Sequence, residues 1–158
     1  MAFLSEGFRP ITFNGGSIAV PRTWKGRTSD DGNCYIIEAP DGTMGITLSI
    51  YYFTVGETRE DDRFIFDRFL AIRRESELVS DEGDEIVIGE SVVVDRGDGT
   101  LSAIFAGREG NGRQFMVKIA MNSGTLAVVY LERVDDEAER IDDVAGPLFR
   151  SVVVGPSD

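Results

Sequence analysis

Between residues 85 and 133 the chain repeats one arrangement four times. Four β-prone runs (85–95, 100–108, 113–121 and 125–133) are separated by connectors of three or four residues: Arg96-Gly97-Asp98-Gly99, Glu109-Gly110-Asn111-Gly112 and Asn122-Ser123-Gly124. Each connector carries glycine or asparagine, the residues that accept positive φ in tight turns. Connections this short cannot carry a parallel crossover, so neighbouring strands must be antiparallel. This feature alone limits the fold to an antiparallel sheet, and the remaining elements must be ones that can cover it.

Upstream, Ser17-Ile18-Ala19-Val20-Pro21 is a short strand ended by a proline that cannot donate to a ladder. Residues 1–12 read as a loose arm entering it. Asp30-Asp31-Gly32-Asn33 and Pro40-Asp41-Gly42-Thr43 are turns around a strand at 34–39. In the run 44–53, Met44, Ile46, Leu48, Ile50 and Tyr52 alternate with Gly45, Thr47, Ser49, Tyr51 and Phe53. The period of two sends the first set to the core.

One strong amphipathic helix is expected over 59–79. Thr58 can cap it and Asp61 stands three residues on, a variant of the capping box. Glu60, Asp61 and Asp62 lie at the positive end of the helix dipole, Arg73 and Arg74 toward the negative end. Ile65, Phe69 and Ile72 form one stripe, with Phe66 and Leu70 beside it and Phe64 nearby, which marks the helix as a main clamp on the sheet. A short acidic helix is expected over 135–149, broken or ended near Gly146-Pro147, followed by an irregular tail at 151–158. The fold class is therefore α+β. It comprises one antiparallel sheet of about six or seven strands, one long helix packed on it and a short C-terminal helix, within a single domain.

Composition narrows function. Of the 158 residues 42% are hydrophobic, enough for a core, and the formal net charge is −12. That field repels phosphate and anionic lipid surfaces and attracts a basic partner, so nucleic-acid binding is not expected. The bland alternative is that the acid only keeps the surface soluble. No window offers about 20 apolar residues for a membrane span, and the N-terminus lacks the basic segment of a secretory signal. The expected location is the cytoplasm.

Catalytic signatures are weak. There is no histidine and one cysteine, Cys34, in a predicted strand, which reads as a small packed residue. Asp95-Arg96-Gly97-Asp98-Gly99-Thr100 is a hairpin turn that only loosely follows a calcium loop. The acidic groups Asp135-Asp136-Glu137 and Asp142-Asp143 belong to a solvated helix, where nothing shifts a carboxylate. Glycines fall in turns rather than in a phosphate cradle. The expectation is no enzyme, no cofactor and no metal.

Two features point elsewhere. In the hairpin strands Phe115, Val117, Ile119 and Met121 share one face with Leu126, Val128 and Tyr130. Gln114, Met116, Lys118 and Ala120 share the other with Ala127, Val129 and Leu131. That second face is mixed rather than polar, so it calls for a cover. The closing helix, a partner protein or a second copy of the chain could supply it, or the face could simply be exposed. Trp24 either plugs one end of the sheet or rims a groove. Trp24, Met116, Lys118, Val129 and Leu131 are accordingly the candidate partner-binding residues.

The segment Val20-Pro21-Arg22-Thr23-Trp24, the sheet–helix–sheet–helix order and the closing Leu148-Phe149-Arg150-Ser151-Val152 together resemble the PsbP-like α/β/α sandwich superfamily. That group includes an extrinsic photosystem II protein, a Ran-binding nuclear transport factor and bacterial chaperones for type VI secretion effectors. The resemblance implies a non-catalytic protein that binds another protein. In the bacterial branch it implies a dimer whose sheet shelters an apolar effector helix. Lys118 and Gln114, on the face that would form such a groove, depart from a fully apolar lining. The alternative is a small-molecule or lipid pocket between helix and sheet, near Trp24 and Tyr52.

Overall fold

The computed structural model describes residues 7–32, 34–54, 58–79, 83–134 and 138–156, and of residues 59 and 138–140 the backbone only. The first half of the expected N-terminal arm, Asn33 of the first turn, the helix-ending residues 80–82, the acidic group 135–137 and the last two tail residues lie outside the described part.

The four-run series forms as its turns dictate. Strands β8 (Leu101–Glu109), β9 (Gln114–Asn122) and β10 (Thr125–Arg133) make a meander, and β5 (Met44–Tyr52) pairs with the free side of β10. At the β9–β10 turn both Ser123 (φ 50°) and Gly124 (φ 87°) take the left-handed conformation, the geometry that matches strand twist in a two-residue hairpin. The run 85–95 is two strands, β6 (Ile86–Ile88) and β7 (Val92–Asp95), which pair in turn along one side of β8. Beyond β5 lie β4 (Cys34–Glu38) and β3 (Lys25–Thr28). The result is an eight-stranded antiparallel sheet, larger than the six or seven strands expected. The excess comes from the split run and from β3, whose Lys-Gly-Arg-Thr sequence carries no apolar alternation because all four residues are exposed. Charge on such an edge blocks pairing with another chain.

A second, three-stranded sheet joins β1 (Phe8–Phe13), β2 (Gly16–Pro21) and β11 (Val153–Val154). It corrects the expectation of a single sheet, and residues 8–12 of the supposed arm and 153–154 of the supposed tail are strands. The Asn14-Gly15 pair, with Gly15 at φ 101°, closes the β1–β2 hairpin. The tail is pinned because the Ser151 hydroxyl donates to Leu148 O at 2.5 Å and accepts from Ala19 N at 2.7 Å.

The large sheet is covered on both faces. Helix α1 (Arg59–Ser76) lies on the face of Phe105, Phe115, Val117, Ile119, Leu126 and Val128. Its capping box is formed as expected: Asp61 N donates to Thr58 Oγ1 and Thr58 N donates to Asp61 Oδ2, each at 3.2 Å. The buried arc is narrower than the apolar stripe suggested. Phe66 and Leu70 are buried and Ile65 and Phe69 partly so, whereas Phe64 and Ile72 are 63% and 61% exposed. Ile72 stands two positions past Leu70, about 200° round the helix, so the sheet cannot reach it.

Helix α2 (Ala138–Arg150) and the small sheet cover the opposite face, burying Ile46, Leu48, Val129 and Leu131. Ile141, Ala145, Leu148 and Phe149 give α2 its contact stripe. The helix runs through Pro147 to Arg150 rather than stopping at Gly146-Pro147. Leu148 and Phe149, directly after the proline, are buried, and that burial outweighs the one backbone bond proline removes. Phe66→Ala should lower stability by about 3–5 kcal/mol in chemical denaturation, and Phe64→Ala should change it by less than about 0.5 kcal/mol.

Candidate functional site

The cover over the second face is incomplete. α2 packs against β2, β10 and β9, and no described element lies over β8, β7 and β6 on that side. The register makes this concrete. One cross-strand row runs Leu48, Val129, Lys118, Ile104, Val92, and the next runs Ile46, Leu131, Met116, Ala106. Each row begins under α2 and ends in the open. Val129 and Leu131 are fully buried, while Ile104 is 41%, Val94 48%, Val87 62% and Val92 73% exposed.

Where α2 stops, two depressions lie end to end along its flank, sharing Met116 and Asp142. One, of about 540 Å³, is lined by Val87, Ala106, Phe115 and Ile141; the other, of about 470 Å³, by Ile104, Lys118, Phe149, Arg96 and Arg150. The floor is made by β8 and β9, apolar at Ile104, Ala106 and Met116 and polar at Arg108, Gln114 and Lys118, and one wall is α2.

The structure sorts the five candidate residues into three groups. Met116 and Lys118 sit in this groove. Val129 and Leu131 offer no surface, because α2 seals the part of the row they occupy. Trp24 belongs to the far side of the same core, nearly buried beside a separate depression of about 440 Å³ lined also by Phe8, Pro21 and Met44. Tyr52 stands at the other end of β5 from Met44 and donates to Asn14 O at 2.6 Å, so Trp24 and Tyr52 do not share a pocket. The residues that sequence reasoning missed are Val87, Val92, Val94 and Ile104. A signal was present in Val92-Val93-Val94, an unbroken apolar run on an outer strand.

Lys118 is buried, and its Nζ donates to Phe149 O at 2.7 Å, tying the groove floor to the last turn of α2. Burial, with a lesser contribution from the positive charge of Arg96, lowers its ammonium pKa from 10.5 to about 8.

A second polar cluster lies on the α1 side of the sheet. Arg113 donates to Glu109 at 3.1 Å, to Glu132 at 3.3 Å and to the Tyr130 hydroxyl, beside a depression of about 540 Å³. Burial and then the Glu132 charge hold the Tyr130 hydroxyl protonated, its pKa raised. Burial also raises the Glu77 carboxyl, against the pull of Arg73 at 2.9 Å. Arg113, Glu109, Glu132 and Tyr130 pair with one another through ion pairs and hydrogen bonds. Cys34 is half-buried with Sγ 3.2 Å from Ser49 Oγ. Among the described residues no group of three or more cysteine or acidic side chains converges as metal ligands would, and no helix is long and apolar enough to cross a membrane.

No family profile matches the chain, and no curated protein does. Among solved structures, the chain is similar to cyanobacterial PsbP (CyanoP) from Synechocystis sp. PCC 6803, with a TM-score of 0.69 and 15% identity over 95% of this chain and 94% of that one. It also aligns with a protein from Bacteroides thetaiotaomicron VPI-5482, with a TM-score of 0.46 and 13% identity over 88% of this chain and 44% of that one. The first likeness establishes the PsbP-like fold that the sequence resembled.

Two outcomes are expected. Val129→Asp buries a carboxylate without a partner and should cost about 4 kcal/mol or more in denaturant unfolding, whereas Val92→Asp should stay within about 0.5 kcal/mol. Lys118 is charged in both the folded and unfolded chain well below pH 8, where burial opposes folding in full, and neutral in both above 10.5. The stability of the natural chain relative to Lys118→Met should therefore rise between about pH 8 and 10.5, by up to ~3 kcal/mol.

Proposed function

We propose that the chain is a non-catalytic docking module, adaptor or chaperone-like, that holds a segment of another protein on the uncovered half of its large sheet. One observation carries this reading: Val87, Val92, Val94 and Ile104 form an open apolar field beside the α2 groove. Soluble proteins seldom leave contiguous apolar surface without a use for it. The shape favours a helix as occupant. Sheets are stably covered by layers of helices, α2 already covers one half of this face, and the width left over β8, β7 and β6 suits one more helix at about 10 Å.

The groove is open along its length, which suits a protein segment better than a small molecule, since small-ligand sites enclose roughly 70–90% of their ligand. The closed polar cluster around Arg113 supports the non-catalytic half of the reading, because its charges are already paired within the fold. A second reading, a small apolar ligand, has in its favour the depression of about 440 Å³ beside Trp24.

The test compares affinity capture from the source cell by the natural chain, by Ile104→Asp and by Val92→Asp. All three should melt within a few degrees of one another. A partner held in fixed ratio by the natural chain should be lost from both variants, or, if the occupant is a second copy, both variants should run as monomers where the natural chain runs as a dimer. Retention of the same partner by both variants would reject this half-face as the site.

A further inference from the structure

The groove has a sign opposite to that of the molecule. Acids outnumber bases 28 to 16 over the chain, yet the two depressions along α2 are lined by Arg96, Arg108, Lys118 and Arg150 against one acid, Asp142.

These cations have different duties. Lys118 is committed to Phe149 O, and with Arg150 it stands at the C-terminal end of α2, where positive charge complements the helix dipole. That accounts for Lys118 and for part of Arg150. It does not account for Arg96, which follows β7 and is not on a helix at all, or for Arg108 on β8. Among the described residues neither Arg96 nor Arg150 has a carboxylate within ion-pair distance. Asp98, on the same turn as Arg96, is held ionised chiefly by bonds to Thr100, and the Arg96 charge adds only a minor pull. The Arg150 guanidinium lies over Gly146, where a side-chain Cβ would stand 3.2 Å from Nη1, so the helix leaves it room at the mouth of the groove.

We infer that the segment docked on the open half-face is an amphipathic helix bearing carboxylates on the side that meets Arg96 and Arg150, so that an acidic partner is selected by a strongly acidic protein. This rests on the docking reading above and adds the chemistry of the partner. The overall field of the chain repels such a segment at a distance, and the arginines reverse that only within a Debye length of the groove, about 8–10 Å at ordinary salt. The apolar field supplies area; Arg96 and Arg150 set register and discriminate, as charges at the rim of an interface do.

The experiment uses the full chain and two labelled synthetic peptides of about 18 residues, long enough to take helical form on a surface. Both share one leucine face at helical spacing; one carries glutamates on the flank of that face and the other lysines at the same positions. Fluorescence anisotropy is read at low salt and at about 0.5 M salt. The glutamate peptide should bind about tenfold or more tightly at low salt, its advantage should shrink at high salt, and the double variant Arg96→Glu/Arg150→Glu should reverse the preference. A lysine peptide that binds as tightly as the glutamate peptide, or an unchanged preference in a folded double variant, would overturn the inference while leaving docking intact. If neither peptide binds, or if Ile104→Asp leaves binding unaltered, the docking reading itself fails and the inference fails with it. Circular dichroism and thermal melts of each variant keep loss of binding separate from loss of fold.

Discussion

The architecture follows from the β8–β9–β10 meander having no polar face. Phe115, Val117 and Ile119 point one way and Ala120, Val129 and Leu131 the other, and all six are buried. An antiparallel sheet that leaves one side in water commonly makes that side polar. Here both sides had to be covered, and the chain supplies two covers of different kinds. α1 serves one face, and α2 together with the small sheet serves the other. The β1–β2 hairpin and the β11 tail are drawn into structure for this reason. Ile18, Val20, Val152 and Val154 complete the lid over a face that α2 alone is too narrow to close.

The same constraint accounts for what is left open. A 13-residue helix and a three-stranded sheet cannot span eight strands, so the lid ends between β9 and β8. The rows of side chains continue past that line without changing character, from Val129 and Leu131 under the helix to Ile104 and Val92 beyond it. Apolar surface at this boundary is a continuation of the core into solvent, and a docked helix would extend the α2 layer over it. The charge distribution fits that division: the acidic residues that give the chain its net charge are largely absent from the lining of the open part.

Much of this was legible in the residues. The meander, its turns, the antiparallel sense, the capping box at Thr58 and the two faces of β9 and β10 all follow from period-two alternation and from glycine, asparagine and serine in connectors, because these are local signals. β3 was invisible because an exposed, charged edge strand has no apolar alternation to read. The β1 hairpin was signalled by Asn14-Gly15 but obscured by Pro10 on its strand. The continuation of α2 through Pro147 was illegible because it rests on the burial of Leu148 and Phe149 against strands distant in sequence. For the candidate site, Met116 and Lys118 were found from their face, and Val87, Val92, Val94 and Ile104 were not.

Sequence by itself determined that the chain forms an antiparallel sheet with one apolar face and one mixed face, and a long amphipathic helix to pack on it. Alternation and turn chemistry act between neighbours and need no knowledge of the rest of the molecule. Only the tertiary structure decided which part of each face is covered. Val129 and Val92 lie in one row and have the same side chain, yet one is sealed and the other bare, because the reach of α2 across the sheet is a matter of packing at a distance. The gathering of four cations on the bare side was settled in the same way, since Arg96, Arg108, Lys118 and Arg150 meet only when turn, strands and helix are assembled.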